Sequence, residues 1–239
     1  MKISVCIPMY NERSIIADTA RTLYDYMSEH FPKGEWEVLF SDDGSRDGSA
    51  DIVRSLGLPG IRVVGYDVNR GKGSAVRHAM LEAAGEIIMF TDADLAYGTD
   101  IIGQLVDLFG SNPGADIIIG SRNISADGYA GYTLLRKIAS KTYIKILGLV
   151  GGFKLTDSQC GCKAFRNSAA KKIFSRCEVD GWAFDFEVIL RAQKYKFKII
   201  EMPVKIINHR ESKVRLLRDA LKMLRDLNKM KKKIKKEAD

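Results

Sequence analysis

The stretch Met89-Phe90-Thr91-Asp92-Ala93-Asp94-Leu95 decides how this chain is organised. The apolar run from Ile87 to Phe90 predicts a buried strand, and two carboxylates one residue apart follow where that run ends. In open α/β sheets, ligands bind at such strand ends. Carboxylate oxygens suit Mg²⁺ or Mn²⁺ bridging a diphosphate. The spacing therefore predicts a metal and nucleotide-diphosphate site at Asp92 and Asp94, with an Asp-rich turn or helix cap as the alternative.

Strand and helix patterns alternate along the whole body of the chain. Apolar runs predict strands at 2–9, 36–41, 61–66, 87–90 and 117–119. Helical patterns occur at 14–30, 74–84, 100–109, 134–150 and 181–195, and a further one follows the loop at 42–48 and ends at 56. Such alternation is typical of βαβ units. We therefore expect an α/β fold, a Rossmann-like and mostly parallel sheet with helices on both faces, whose polar loops share one edge.

The composition fits one domain without a membrane span. The chain has 239 residues, of which 46% are hydrophobic, so it can bury a full core. The four cysteines lack a metal-binding pattern and no secretory leader precedes the first strand, so we expect a reducing, cytoplasmic compartment. The most apolar long segment, 134–153, carries four basic residues and is therefore a poor membrane span.

The net charge of +8 is concentrated near the end of the chain. Residues 213–236 contain eleven lysines and arginines against two aspartates, whereas residues 1–212 are nearly neutral. Without a basic groove in the body, we expect no nucleic-acid binding. Apolar residues at alternating steps of four and three predict an amphipathic helix over 213–236. We expect this helix to bind an anionic membrane surface, the alternative being that it packs on its own domain or on a second subunit of a homo-oligomer.

Three further loops supply candidate binding residues at the same predicted edge. Asp42-Asp43-Gly44-Ser45 offers a carboxylate to a base or ribose, or caps a helix. Gly71-Lys72-Gly73 precedes a helix and offers N–H groups and a cation to phosphate. Arg122 ends a predicted strand, where it is either a phosphate clamp or a solvated surface arginine.

Eight motifs occur in a fixed order that nearly spans the body. They are I-P-M-Y-N-E-R (7–13), D-D-G-S-R-D-G-S (42–49), R-G-K-G-S-A-V-R (70–77), F-T-D-A-D-L (90–95), G-S-R (120–122), D-S-Q-C-G-C-K-A-F (157–165), W-A-F-D-F-E (182–187) and S-K (212–213). Together they resemble the family 2 glycosyltransferases of the GT-A fold, and within them the polyprenyl-phosphate sugar transferases. The stretches at 157–165 and 182–187 look more like dolichyl-phosphate β-glucosyltransferases than like mannose synthases.

The resemblance implies a role for each matching residue. The nucleoside would be held by Pro8, Tyr10, Glu12, Ser41 and Asp43, the metal-diphosphate by Asp92, Ala93 and Asp94, and phosphate charge by Arg122, Arg210 and Lys213. Lys72 joins the nucleotide-sugar-binding residues from the loop described above. Two positions depart from the family pattern. Ala96 stands where the mannose synthases often have a glutamine that contacts the metal, and Ile207 stands where they have an arginine, so Arg210 would have to replace it. The implied division is a glycosyltransferase domain at 1–212 and a basic amphipathic helix at 213–239.

The chemistry separates two acceptor classes. A phosphate monoester is already anionic, so transfer to it needs positioning and charge stabilisation, whereas a sugar hydroxyl needs a carboxylate base, for which Asp185 is the candidate. Candidate catalytic residues are therefore Asp94, Arg122 and Asp185. We expect single inverting transfer from a nucleotide-diphosphate sugar, with UDP-glucose favoured, to a polyprenyl phosphate at the cytoplasmic, inner face of the membrane. The alternatives are a family 2 enzyme acting on a sugar hydroxyl of a cell-surface glycan, or a metal-dependent nucleotidyltransferase.

Overall fold

A computed structural model describes residues 2–124, 134–208 and 227–237, with no side chains described for 134–141 and 143. The strands are β1 (Ile3–Met9), β2 (Trp36–Asp43), β3 (Ile61–Tyr66), β4 (Ile87–Phe90), β5 (Ile117–Ser121), β6 (Lys163–Arg166) and β7 (Ile199–Pro203). The helices are α1 (Ile16–His30), α2 (Ser49–Ser55), α3 (Lys72–Glu82), α4 (Asp100–Ser111), α5 (Leu134–Gly151), α6 (Asn167–Phe174) and α7 (Phe184–Lys194). Residues 227–236 are also helical, and we call them the C-terminal helical segment.

These strands form one mixed sheet in the order β3-β2-β1-β4-β6-β5-β7. The pairs β1–β2, β1–β4, β2–β3 and β5–β7 are parallel, whereas β6 runs antiparallel to both β4 and β5. Because β1, β2 and β4 are parallel, their carboxyl ends meet at one edge of the sheet. The mostly parallel α/β fold expected from the sequence is confirmed.

Hydrophobic layers cover both faces of the sheet, since apolar side chains on successive strand positions point to opposite sides. On one face Val5 and Ile7 pack with residues of α1 and α4, and on the other Cys6 packs with residues of α3, α6 and α7. The central strands are consequently buried on both faces, as parallel strands usually are. This burial fixes the strand ends from which the polar loops leave.

Apolar runs located some strands more reliably than others. β3 and β4 begin and end at the predicted residues, whereas β6 and β7 had not been predicted. β6 has only four residues and starts with Lys163, so it shows no apolar run. α3 begins at Lys72, so the predicted free loop Gly71-Lys72-Gly73 is already partly helical.

The C-terminal helical segment packs on the chain's own domain. Leu227, Met230 and Ile234 are buried in the core layer that contains α6 and α7 residues. The expectation that this apolar face enters a bilayer is therefore wrong for the described part of the tail, and the alternative of packing on its own domain holds there. Residues 213–226 lie outside the described residues, and the division at 212 stays a prediction. Among the helices described, none is long and apolar enough to cross a membrane.

Candidate active site

The two predicted metal ligands lie on a tight turn at the carboxyl end of β4. The Leu95 amide donates to the Asp92 carbonyl at 3.0 Å, and the Ala96 amide donates to Asp94 Oδ1 at 3.1 Å. Leu95 adopts a φ of 47°, a left-handed conformation that is strained for a bulky residue. Its buried side chain holds it there. Strain of this kind clusters at functional sites, and here it leaves both carboxylates partly exposed at the sheet edge.

Asp92 is held between α3 and the loop that precedes β6. Lys72 Nζ lies 2.5 Å from Asp92 Oδ1. A Cβ added at Gly161 would stand 3.0 Å from Asp92 Cγ and closer still to Oδ2, so only glycine leaves room for the carboxylate. Burial tends to lower the pKa of Lys72, but Asp92 and its neighbours outweigh it and raise that pKa, so the ammonium stays charged. The sequence had not indicated Gly161 as part of the site.

Asp185, the candidate base, forms an ion pair inside the protein. Lys163 is fully buried, and its Nζ lies 2.5 Å from Asp185 Oδ1 and 2.7 Å from the Cys160 carbonyl oxygen to which it donates. Burial raises the pKa of Asp185, while Lys163 and Lys72 act in the opposite direction. Lys163 thus joins the loop that supports Asp92 to the first turn of α7. Sequence reasoning missed Lys163, because a lysine carries no signal that it will be buried.

Asp43 organises a neighbouring loop. Its carboxylate accepts hydrogen bonds from the Tyr66 hydroxyl, the Asn69 side-chain amide and the backbone amides of Arg70 and Gly71. A carboxylate has about four lone-pair sites, so these bonds occupy it. The structure therefore shows Asp43 holding this loop, and its contact with a nucleoside stays a prediction. Asp42, next to it, accepts one bond from the Ser45 amide at 3.2 Å.

The N–H groups expected to bind phosphate at the start of α3 are already paired. The Gly71 amide donates to Asp43, and the Gly73 amide donates to the Asp180 carbonyl at 2.7 Å. The prediction that these two amides cradle a phosphate is wrong, since both serve to fix the loop. What this loop offers to the site is the ammonium group of Lys72, which lies beside Asp92 and over the ring of the half-exposed Trp182.

The loops after β1 and β2 are joined by hydrogen bonds. The Asn11 amide donates to Ser45 Oγ, the Glu12 amide donates to Ser49 Oγ, and the Arg13 amide donates to the Asp47 carboxylate, each at 2.9 Å. These bonds hold the two loops together beside the exposed Tyr10. Pro8 and Ser41, two of the predicted nucleoside residues, are register partners at the adjoining strand ends, and Ser41 Oγ has no hydrogen-bond partner among the described residues.

Arg122 is neither solvated nor loosely placed. Its Nε and one terminal nitrogen donate to Asp157 at 2.6 and 2.9 Å, and the Asp157 side chain is completely buried. Glu201 of β7 in turn accepts a bond from the Asp157 amide at 3.1 Å. The alternative of a surface arginine is wrong. Asp157 instead orients the guanidinium at the end of β5, and the contact of Arg122 with a phosphate stays a prediction.

The carboxylates at the site can hold a divalent cation only together with oxygen ligands from the substrate. No group of three His, Cys, Asp or Glu side chains that could hold a metal occurs in the described parts of the chain. Mg²⁺, however, is commonly bound through one or two carboxylates together with substrate phosphates. Asp92 and Asp94 supply such a pair. The arrangement therefore fits a metal that arrives with a diphosphate.

The segment after β7 crosses to the same turn. The amides of Ile207 and Asn208 donate to the Ala96 carbonyl, and the Asn208 side chain donates to the Leu95 carbonyl at 2.9 Å. The chain therefore passes the metal turn just before residue 209. Arg210 and Lys213 lie outside the described residues, so their predicted contacts with phosphate stay predictions.

Comparison with known proteins decides the family. The family model for glycosyl transferase family 2 matches residues 4–174. The chain belongs to this family. Among curated relatives of this family 2 glycosyltransferase, the dolichyl-phosphate beta-glucosyltransferase of Trichomonas vaginalis is 33% identical over 88% of the chain, which covers 65% of that relative. The enzyme of the same name from Drosophila melanogaster is 31% identical over 95% of the chain, which covers 73% of the relative.

The family 2 glycosyltransferase also shares its fold with solved structures. Glucosyl-3-phosphoglycerate synthase from Mycobacterium tuberculosis, solved with Mn²⁺, UDP and phosphoglyceric acid, aligns with a TM-score of 0.70 at 17% identity. The alignment covers 100% of this chain and 80% of the synthase. The same synthase has been solved with Mg²⁺ and UDP, with a TM-score of 0.66. The GT-A fold and the family predicted from the motifs are confirmed, and this family does not support the nucleotidyltransferase alternative.

Proposed function

We propose that this glycosyltransferase moves one glucose from UDP-glucose to a polyprenyl phosphate, with inversion, at the cytoplasmic face of a membrane. The relatives named above are dolichyl-phosphate beta-glucosyltransferases, which supports both the sugar and the acceptor class. The observation that carries the proposal is the buried Lys163–Asp185 pair. Since Lys163 holds the candidate base, the site suits an acceptor that needs no base.

The donor would lie across the carboxyl ends of β1, β2 and β4. Its nucleoside would contact Pro8, Tyr10, Glu12 and Ser41, with Asp43 acting through its loop. Asp92, Ala93 and Asp94 would face the diphosphate and its Mg²⁺ or Mn²⁺. When bound, the cation would neutralise charge on the departing UDP.

Cationic side chains would complete this charge balance. Lys72 is already beside Asp92, and Asp157 holds Arg122 in a fixed orientation. Arg210 and Lys213 would join them from the segment that follows β7. Fixed charges of this kind stabilise a leaving diphosphate without reorganisation during the reaction.

The acceptor phosphate would attack the anomeric carbon directly. It carries its negative charge at neutral pH, so no proton has to be removed, and the protein need only hold the two reactants in line. Direct displacement inverts the anomeric centre and gives a β-linked product. An acceptor hydroxyl would instead require Asp185 as a general base, which its pairing with Lys163 opposes.

A donor panel tests the proposal. Purified protein with Mn²⁺ and a polyprenyl phosphate would be given radiolabelled UDP-glucose, UDP-N-acetylglucosamine or GDP-mannose, and label would be counted in the organic phase. We expect label from UDP-glucose to exceed that from each other donor at least tenfold. Equal transfer from GDP-mannose, or label only in water-soluble products, would contradict it.

A further inference from the structure

The C-terminal helical segment is firmly attached to the domain by its inner face. Besides the burial of Leu227, Met230 and Ile234, Arg191 donates to the Glu237 carboxylate at 2.8 Å. Arg191 is itself buried and also bonded to Glu187. The segment therefore cannot turn its apolar side outward without opening the core, so any contact with a lipid surface must use its other side.

The outer face of this segment is basic. Lys229, Lys232, Lys235 and Lys236 are exposed, and Lys231 is partly exposed. At 100° per residue, Lys235 lies on the same flank of the helix as Lys231, about 40° from it, whereas Lys232 lies about 100° from Lys231, on the side opposite the buried residues. Lys231 Nζ donates to the Val150 carbonyl of α5 at 2.9 Å. That flank therefore adjoins the end of α5.

The end of α5 presents apolar side chains to solvent. Ile144 and Leu147 are buried in or against the core, whereas Ile146 and Leu149 are 41% and 82% exposed. Helical geometry places these last two on the side opposite the core, next to the exposed Lys145. An exposed leucine alone needs no explanation, but this one precedes Val150, whose carbonyl is bonded to Lys231 of the lysine-rich helical segment.

We propose that Ile146 and Leu149 of α5, together with Lys145, Lys232 and Lys235, form one docking surface for an anionic bilayer. The two apolar side chains enter the interface between headgroups and acyl chains, and the lysines attract the anionic headgroups around them. Charge complementarity favours a membrane over a second copy of this chain, because a copy would bring the same lysines face to face. This proposal rests on the proposed function, which requires a lipid acceptor.

The docking surface is linked to the active site through the backbone. Residues 152–157 lead directly from the end of α5 to Asp157, the partner of Arg122. The Gly152 carbonyl also accepts a bond from Gln193 of α7 at 3.1 Å. A short segment of chain therefore joins the proposed docking surface to the Asp157–Arg122 pair.

Vesicle sedimentation tests the docking surface with full-length protein. The vesicles would contain phosphatidylcholine with or without phosphatidylglycerol, at low and high salt. Wild type should pellet with the anionic vesicles at low salt and be released by high salt. Lys232→Glu with Lys235→Glu should weaken binding at least tenfold, and Leu149→Ser should weaken it about tenfold, even at low salt.

Two matched control variants distinguish the loss of the docking surface from the general effect of removing any exposed apolar side chain or lysine. Leu81→Ser removes a 39% exposed apolar side chain from α3, and Lys33→Glu reverses an exposed lysine in the loop after α1. Both controls should bind vesicles like wild type. If Leu149→Ser and the double lysine variant also bound like wild type, the proposal would be overturned. Dimerisation that depends on Leu149, measured by light scattering, would likewise overturn it in favour of a second copy.

Transfer in detergent separates this proposal from the proposed function. With a short-chain polyprenyl phosphate dissolved in detergent, docking is not needed. The surface variants should then transfer glucose at the wild-type rate while failing on vesicles, which would support the docking surface. If the surface variants lost activity equally in detergent, the docking proposal would fail. If wild type did not transfer glucose in detergent at all, the proposed function would fail, whatever the vesicles showed.

Discussion

Replacing Gly161 by alanine should disable the site through one misplaced carboxylate. The added Cβ would lie 3.0 Å from Asp92 Cγ and closer to Oδ2, whereas ordinary contacts begin at 3.4 Å. Asp92 must therefore move by about 1 Å, and a displacement of that size in an active site costs on the order of 10²-fold in rate. The loop cannot readily yield in its place, because Lys163 binds the Cys160 carbonyl.

The effect of this substitution on folding should be far smaller. Crowding typically costs about 1–3 kcal/mol, and replacing glycine restores about 0.4–1 kcal/mol by restricting the unfolded chain. We therefore expect a loss of about 1 kcal/mol in the free energy of unfolding, measured by urea titration. Gly110→Ala in α4 is the matched control, since its Cβ meets nothing within 4 Å.

The assay for Gly161→Ala is the initial rate of glucose transfer as a function of Mn²⁺ and UDP-glucose. We expect kcat/KM to fall about 10²-fold and the Mn²⁺ requirement to rise, because Asp92 no longer reaches its place beside Lys72. Gly110→Ala should match wild type. A Gly161→Ala enzyme with kcat/KM within about twofold of wild type and an unchanged Mn²⁺ response would refute the reasoning.

Three further substitutions or deletions test other parts of the account. Asp94→Asn should lose at least about 10³-fold in transfer with an unchanged urea midpoint, since the carboxylate is partly exposed at the sheet edge and outside the core; residual metal-dependent activity near wild type would contradict this. Asp185→Asn should destabilise the fold by about 3 kcal/mol in urea because it leaves the buried Lys163 ammonium without its opposite charge, and adding Lys163→Met should recover part of that loss. Deleting residues 227–239 should cost about 5 kcal/mol, because three buried side chains leave the core; an unchanged thermal midpoint would show that they do not pack there.

The sequence indicated the frame of the molecule because local signals specify it. β4 is a continuous apolar run and β3 is a mostly apolar one, and both were predicted at their observed bounds. The Asp92–Asp94 turn followed from the same pattern, since it begins where the run of β4 stops. The order of the remaining motifs then gave the family.

What the sequence did not show were the partners of buried charges. Lys163 meets Asp185, which is 22 residues away, and Asp43 is occupied by donors more than 20 residues downstream. Such pairings depend on how the sheet folds, because a side chain's own neighbours in sequence carry no record of them. The tail shows the same limit. Its periodicity predicted an amphipathic helix, but not that the core would cover Leu227 and Ile234.

The acceptor group is the central claim, and a matched acceptor pair tests it most directly. Wild-type protein with Mn²⁺ and UDP-glucose would be given a polyprenyl phosphate and the polyprenol of the same length, in detergent, with Asp94→Asn as the inactive control. The account predicts a β-linked glucosyl phosphate lipid from the phosphate and no product from the alcohol, because Asp185, the candidate base, is paired with Lys163. Transfer to the alcohol or to a sugar hydroxyl at a comparable rate, with none to the phosphate, would contradict it.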